Sequence, residues 1–139
     1  MGPTRYEKGI DTLKIITGLS KNALIESLSD VPSELSDWII EFAYGDVLSR
    51  RQLDLKTRQL ATVAALTAMG TASPQLKAHI QGALNVGCKQ EEIVEIILQM
   101  AVYAGFPAAL NAITISKEVF DNKSLKWMNY SWDFFSKLY

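Results

Sequence analysis

Residue types that form disulfides and metal sites are almost missing from the sequence, which has one cysteine, Cys88, and one histidine, His79. A single cysteine excludes a disulfide within the chain and a site built from several thiolates, such as a zinc or iron–sulfur centre. A mixed site would need more histidine and cysteine than the chain has. We therefore expect no bound metal.

The sequence also lacks an excess of charge of either sign, since 14 basic and 15 acidic residues leave a formal net charge of −1. Such a chain is poorly suited to coat nucleic acid or an anionic membrane, so neither is expected as a partner. The length of 139 residues is that of one domain, and a hydrophobic content of 48% is typical of a globular chain. The sequence predicts a single domain over residues 1–139.

No apolar run of the kind found in signal peptides occurs at the N-terminus, which favours a cytoplasmic location. The uncharged stretch 96–116 is long enough to cross a bilayer. However, Pro107 interrupts it, and Gln99 and Asn111 would need hydrogen-bond partners in lipid. Two buried helices joined at a tight corner explain the stretch better than a membrane span.

Strand-like alternation and hairpin turns are absent from the sequence, and apolar residues recur instead at helical spacing. This pattern predicts an all-α fold of about six to eight helices. The predicted helices cover residues 4–17, 20–31, 33–44, 54–69, 73–86, 88–104 and 106–120.

Helix boundaries are predicted from capping residues and glycines. Ser20, Asp54 and Ser73 are expected N-caps, and Gly70 is expected to end the fourth helix. Cys88 with Glu91 has the spacing of a capping box. Gly45 is expected to end the third helix, whose apolar stripe is Leu35, Trp38, Ile39 and Phe42. A polar break follows the last predicted helix, and the tail 125–139 is rich in aromatic residues.

The helices between residues 54 and 120 carry few charged residues, and a monomer of this length has few places to bury them. We therefore expect an oligomer in which these helices pack across subunits. The aromatic tail is expected to pack against a neighbouring subunit.

His79 lies on an otherwise apolar helix face among the small residues Ala78, Gly82 and Ala83, which leave room for a ligand. It is either a core histidine satisfied by one hydrogen bond or a general acid or base, the role for which an imidazole is suited.

Four further residues are candidates for binding or chemistry. Arg58 either reaches solvent or faces a pocket for an anion. Glu95 is a candidate to point into the interior and pair with Arg58 or His79, and Tyr103 is a candidate donor to a substrate oxygen. Cys88 is interpreted as structural, with a reactive thiol as the alternative if the helix N-terminus lowers its pKa.

Four sequence runs are similar to one known family, the carboxymuconolactone decarboxylases. They are LDLKTRQLAT (53–62), ASPQLKAH (72–79), ALNVG (83–87) and EEIVEIILQMAVYAGFPAALNA (91–112). The resemblance covers roughly residues 35–120. It implies an alkylhydroperoxidase D-like all-helical fold, usually assembled as trimers or hexamers.

The peroxidase branch of this superfamily carries the motif Cys-x-x-Cys-x-x-x-His. His79 matches the histidine, but Ala72 and Gln75 occupy the cysteine positions. Peroxidase chemistry of that kind needs two thiols that can form a disulfide, so the chain resembles the decarboxylase branch instead. The residue after Arg58 is usually glutamate in the family and is Gln59 here. An amide cannot transfer a proton at neutral pH, so if that glutamate is a relay, activity is reduced or redirected.

The resemblance implies a lyase that removes carbon dioxide from 4-carboxymuconolactone or a related small carboxylated lactone, in aromatic-compound catabolism. The unsaturated lactone accepts the electrons left by carbon dioxide, so no cofactor is required. In this scheme Arg58 binds the spectator carboxylate, and Tyr103 or Gln59 donates to the enolate oxygen. His79 delivers the proton, and Glu95 orients His79 or sets its protonation state.

Two other functions stay open. One is a thiol-linked antioxidant protein that depends on Cys88. The other is a non-catalytic family member that kept the fold and binds a different ligand or serves assembly.

Overall fold

The computed structural model describes residues 1–121, and this part of the chain is helical without a strand. It contains seven α-helices, and a π-helical segment, Ile39–Leu48, continues α3. The helices are α1 (Arg5–Thr17), α2 (Lys21–Ser27), α3 (Ser33–Trp38), α4 (Leu55–Met69), α5 (Ser73–Asn85), α6 (Gln90–Ala104) and α7 (Phe106–Phe120). The all-α prediction is therefore confirmed. Residues 122–124 of the predicted polar break (121–124) and the aromatic tail lie outside the described residues.

Several helix ends coincide with the capping residues expected from the sequence. The side chain of Ser20 accepts a hydrogen bond from the backbone N–H of Ala23 at 3.2 Å, and that of Asp54 accepts one from Thr57 at 2.7 Å. Gly70 ends α4 in the left-handed conformation at φ +71°. This conformation is easily reached without a Cβ atom, which is why the glycine was a reliable stop signal.

Gly45 does not end the third helix, contrary to the prediction. It is buried inside the π-helical segment, where a Cβ atom would collide with the backbone carbonyl oxygen of Arg5. This glycine is therefore needed for the close approach of α1, and the loop after it begins only at Ser49. The apolar stripe predicted for this helix is also largely uncovered, since Trp38 is 65% exposed and Phe42 61%.

Two capping predictions are displaced by one residue. Ser73 is the first residue of α5, and Ala72 takes the cap position without a side-chain hydrogen bond. At the start of α6 the backbone N–H of Lys89 donates to Oε2 of Glu92 at 2.8 Å, so Cys88 and Glu91 are not the reciprocal pair.

The larger of two apolar clusters lies between α4, α5, α6 and α7, which pack against one another. Its fully or almost fully buried members include Val63, Ile80, Ala83, Ile93, Ile97 and Ala112. A smaller cluster joins α1 and α2 to the π-helical segment through Ile10, Leu13, Leu24 and Ile40. Asn85 connects the two parts, because its Nδ2 donates to the carbonyl oxygen of Ile16 at 2.8 Å.

The chain by itself does not cover its apolar helices on all sides. In α4 only Gln59, Val63 and Thr67 are buried. A second exposed apolar surface lies at the α6–α7 corner, where Val102 is 78% exposed and Phe106 is also exposed. No helix among the described residues has both the length and the apolar character needed to cross a bilayer.

Candidate functional site

The packing of α4 against α5 brings His79 beside Gln59. Nδ1 of His79 lies 3.0 Å from Oε1 of Gln59, and the side chain of Gln59 has no solvent exposure. An amide oxygen can only accept a hydrogen bond, so this contact is a hydrogen bond only if Nδ1 carries the imidazole proton. One ring nitrogen of His79 therefore has a hydrogen-bond partner in the described chain, which fits both a core histidine and a general acid or base.

Burial lowers the pKa of His79 below the ordinary value of 6.5, because a charged imidazolium is costly away from water. Gln59 carries no charge that would offset this cost. At neutral pH the imidazole is consequently uncharged, which makes it a base before it is an acid.

The small residues near His79 do not leave the room for a ligand that the sequence suggested at Gly82. A Cβ atom there would lie 2.8 Å from Cγ2 of Ile16 and 3.2 Å from Oε1 of Gln59. The missing side chain makes space for Ile16 of α1 and for the Gln59 amide. Gly82 thus supports the Gln59–His79 pair, a role that the sequence pattern did not reveal.

Arg58 precedes Gln59 in α4 and is half-buried. Its Nη2 donates to the backbone carbonyl oxygen of Arg50 at 3.1 Å, whereas its buried Nε has no hydrogen-bond partner within residues 1–121. No carboxylate of the described chain forms an ion pair with it. A buried donor without an acceptor is costly, so this guanidinium retains capacity to bind an anion. The hydrogen bond to the Arg50 carbonyl oxygen could not be predicted from the sequence, because every residue type has a backbone carbonyl.

Glu95 does not point into the interior, and the pairing with Arg58 or His79 is not formed. Ile93, Val94 and Ile97 take the inward face of α6, which leaves Glu95 exposed. It lines a groove of about 500 Å³ between α4 and α6 together with Leu60.

Tyr103 is 77% exposed near the end of α6. It forms no hydrogen bond to the Gln59–His79 pair in the described chain. Of the five predicted site residues, the structure brings His79 and Gln59 into contact, whereas Arg58 precedes Gln59 in α4 and contacts the carbonyl oxygen of Arg50. Glu95 and Tyr103 lie on exposed parts of α6.

Cys88 is only 5% exposed, and its Sγ contacts the carbonyl oxygen of Lys56 at 3.6 Å. Burial, followed by the nearby carboxylate of Glu92, raises the pKa of the thiol. A thiol with a raised pKa is mostly protonated at neutral pH and a poor nucleophile. These features agree with the structural interpretation of this cysteine. Within residues 1–121, no cluster of three or more His, Cys, Asp or Glu side chains is arranged to hold a metal ion.

Residues 33–118 match the model of the carboxymuconolactone decarboxylase family. The chain belongs to this family. A 4-carboxymuconolactone decarboxylase of Acinetobacter baylyi is 35% identical over 84% of this chain and 87% of its own length. The family resemblance inferred from the four sequence runs is thereby confirmed.

Two other relatives are similar over much of the chain. A nitrosuccinic acid decarboxylase of Metarhizium robertsii is 30% identical over 84% of this chain and 82% of its own. An uncharacterised 15.0 kDa protein of Paracoccus denitrificans is 38% identical over 65% of this chain and 67% of its own. The family region begins with α3 and ends within α7, and it therefore includes Arg58, Gln59 and His79.

Proposed function

We propose that this protein is a cofactor-independent decarboxylase of 4-carboxymuconolactone or a related small carboxylated lactone, acting in the cytoplasm in aromatic-compound catabolism. Family membership and the names of two relatives support a function of the carboxymuconolactone decarboxylase type. The observation that carries the proposal is the state of Arg58, a half-buried arginine with an unpartnered Nε and no carboxylate partner in the described chain. Such a group suits a substrate carboxylate.

The reaction can proceed without a cofactor because the substrate itself accepts electrons. When the bond to the leaving carboxylate breaks, its electron pair moves through the ring alkene to the lactone carbonyl and forms a dienolate. The protein then has to hold the second carboxylate, stabilise the enolate oxygen and supply a proton to carbon. Nitrosuccinic acid, the substrate in the name of one relative, shares this logic: it has two carboxylates, and its nitro group is the electron acceptor.

Arg58 is the proposed clamp for the spectator carboxylate, through paired charge-assisted hydrogen bonds. His79 is the proposed source of the proton that reaches carbon. Nε2 of Gln59 has no partner in the described residues, but the side chain is fully buried, so it is a weaker candidate donor to the enolate oxygen than the sequence suggested. Tyr103 is the better candidate donor.

The proposed assembly is a homotrimer or homohexamer. Its support is the exposed apolar surface of α6 and α7, which includes Leu98, Val102 and Phe106. Large exposed apolar surfaces of this kind are typical of subunit contacts. We propose that Tyr103 and Glu95, both exposed on α6, contribute to the site across such a contact.

The test is release of carbon dioxide from 4-carboxymuconolactone by purified protein, measured together with His79→Ala and Arg58→Met. Arg51→Met, at an exposed loop position, is the matched control for a lost arginine. We expect release by the wild type and the control, and clearly slower release by both site variants. No release from a folded wild-type protein would rule out this substrate and leave the family assignment in place. If neither site variant changes the release of carbon dioxide, His79 and Arg58 do not form the active site.

A further inference from the structure

The Gln59–His79 contact places a fully buried amide against the one histidine of the chain. The 3.0 Å separation joins Oε1 of Gln59 to Nδ1 of His79, and the amide Nε2 of Gln59 has no partner in the described residues. The contact through Oε1 therefore sets the orientation of the buried Gln59 amide. Its carbonyl oxygen has lone pairs and no proton, so only a protonated Nδ1 completes the hydrogen bond.

We propose that Gln59 is a positioning residue that holds His79 in the tautomer with its proton on Nδ1, so that Nε2 of the resting imidazole is unprotonated and accepts a proton or hydrogen bond from a ligand. The consequence for turnover rests on the proposed decarboxylase function, whereas the tautomer itself is a property of the folded chain.

The glycine beside the amide leaves room for it. A Cβ atom at Gly82 would lie 3.2 Å from Oε1 of Gln59, so a larger residue at this position would crowd the amide. If the amide were reversed, its N–H would donate to Nδ1 and place the imidazole proton on Nε2. The tautomer therefore reports the orientation of Gln59 directly.

Charged groups on the helices packed against α5 do not compete with Gln59 for the imidazole. Lys56 of α4 pairs with Glu92 of α6 at 2.8 Å, and Glu118 of α7 pairs with Lys77 of α5 at the same distance. In the last turns of α1, Lys14 forms an ion pair with Asp11. On α6, Glu91 and Glu95 are exposed to solvent. Arg58, next to Gln59, donates to a backbone carbonyl. Burial is the cause that shifts the pKa of His79.

This tautomer changes the order of proton transfers in the proposed reaction. The bond from carbon to the leaving carboxylate breaks, carbon dioxide departs, and the electron pair stays on the conjugated lactone until carbon gains a proton. An unprotonated Nε2 cannot supply that proton. His79 first takes one from solvent at Nε2 and then donates it to carbon, which returns the imidazole to its resting form. A carboxylate in place of the amide would make this loading easier, since it stabilises the imidazolium.

The experiment uses nitrogen-15-labelled protein and a proton–nitrogen correlation spectrum of the imidazole. His79 is the one histidine, so its signals need no assignment. Gln59→Met removes the acceptor at similar size, and Gln59→Glu replaces it with a charge. Gln99→Glu, at an exposed position of α6, is the control for the added charge. Folding of each variant is checked by circular dichroism and gel filtration.

We expect the wild type above the imidazole pKa to show the proton on Nδ1, and Gln59→Met to lose this preference. Gln59→Glu is expected to raise the pKa of His79 by about one to three units and Gln99→Glu to leave it unchanged. If Gln59→Glu does not fold, the spectra of the wild type and Gln59→Met still test the tautomer assignment. A proton on Nε2 in the wild type, or an unchanged tautomer in Gln59→Met, would overturn the proposal.

Turnover separates this inference from the proposed function. With 4-carboxymuconolactone, Gln59→Glu is expected to move the alkaline fall of kcat/KM to higher pH, and Gln99→Glu is expected to match the wild type. An alkaline fall that stays in place while the pKa of His79 rises would overturn the loading step. Absence of carbon dioxide release from a protein with the proton on Nδ1 would instead rule out the substrate and leave the tautomer assignment intact.

Discussion

Nη2 of Arg58 donates a hydrogen bond to the backbone carbonyl oxygen of Arg50 at 3.1 Å. The guanidinium is thus held by a backbone carbonyl and not by a carboxylate. The carbonyl fixes one end of the group and leaves its charge uncompensated. The buried Nε lacks a partner in the described chain, so the arginine is positioned and still able to bind. This combination distinguishes it from Lys56, whose ammonium is paired with Glu92.

Arg58→Met should lower kcat/KM for the carboxylated substrate by roughly 10- to 150-fold, the range expected for losing a hydrogen bond to a charged group. Arg58→Lys should recover part of the activity, because it keeps the charge and loses the planar fork. Steady-state kinetics with Arg51→Met as the control checks this. Equal values for Arg58→Met and the control would show that Arg58 does not bind the substrate.

The lowered pKa of His79 predicts a loss of stability in acid. The unfolded chain binds a proton near the ordinary value of 6.5, whereas the folded chain binds it only at lower pH. The free energy of unfolding should therefore fall as the pH drops through this interval, since the unfolded state binds more protons there. Urea unfolding at about pH 7.5 and about pH 5 should show a smaller acid loss for His79→Gln than for the wild type. An equal loss in both proteins would contradict the assignment.

Gly82→Ala should destabilise the protein by about 1–3 kcal/mol, as is typical of overpacking. The new Cβ atom would lie 2.8 Å from Cγ2 of Ile16, which is closer than side chains tolerate. Gln75→Ala, at an exposed position of α5, provides the comparison for a change of helix propensity alone. Chemical denaturation measures both. A Gly82→Ala protein as stable as the wild type would mean that α1 can move away from α5 at little cost.

Cys88 should react slowly with a thiol reagent in the native protein and quickly after unfolding in urea. The reason is its burial, which raises the thiol pKa and blocks access. Following the reaction by absorbance checks the rate in both states. A native rate equal to the unfolded one would favour the antioxidant function, which Cys88→Ser would then be expected to abolish.

Val102→Glu should weaken self-association, because it places a charge in the exposed apolar surface at the α6–α7 corner. Ile15→Glu is the control, since Ile15 is exposed on α1. Sedimentation velocity of the two variants and the wild type gives the mass in solution. If Val102→Glu keeps the wild-type mass, the subunit contact lies elsewhere on the chain.

Helix positions were largely predictable because their signals are local. Asp54 caps the start of α4 and Gly70 ends it, as expected, because capping depends on residues within one turn of each other. Gly45 was misjudged because its function is to let Arg5 approach, and that contact spans 40 positions along the chain. For the same reason Trp38 and Phe42, which resemble a core stripe in sequence, remain exposed in the folded chain.

The sequence by itself determined the all-helical fold, the family, and the three residue types that the site needs. Capping, helical spacing and the four family runs are properties of short segments, so they can be read without a partner. The tertiary structure decided how these residues are used. Gln59 and His79 lie 20 positions apart, and only the packing of α4 on α5 directs both inward to the same point. The rotation of α6 that buries Ile93 and Ile97 turns Glu95 outward, because successive residues of a helix point in different directions.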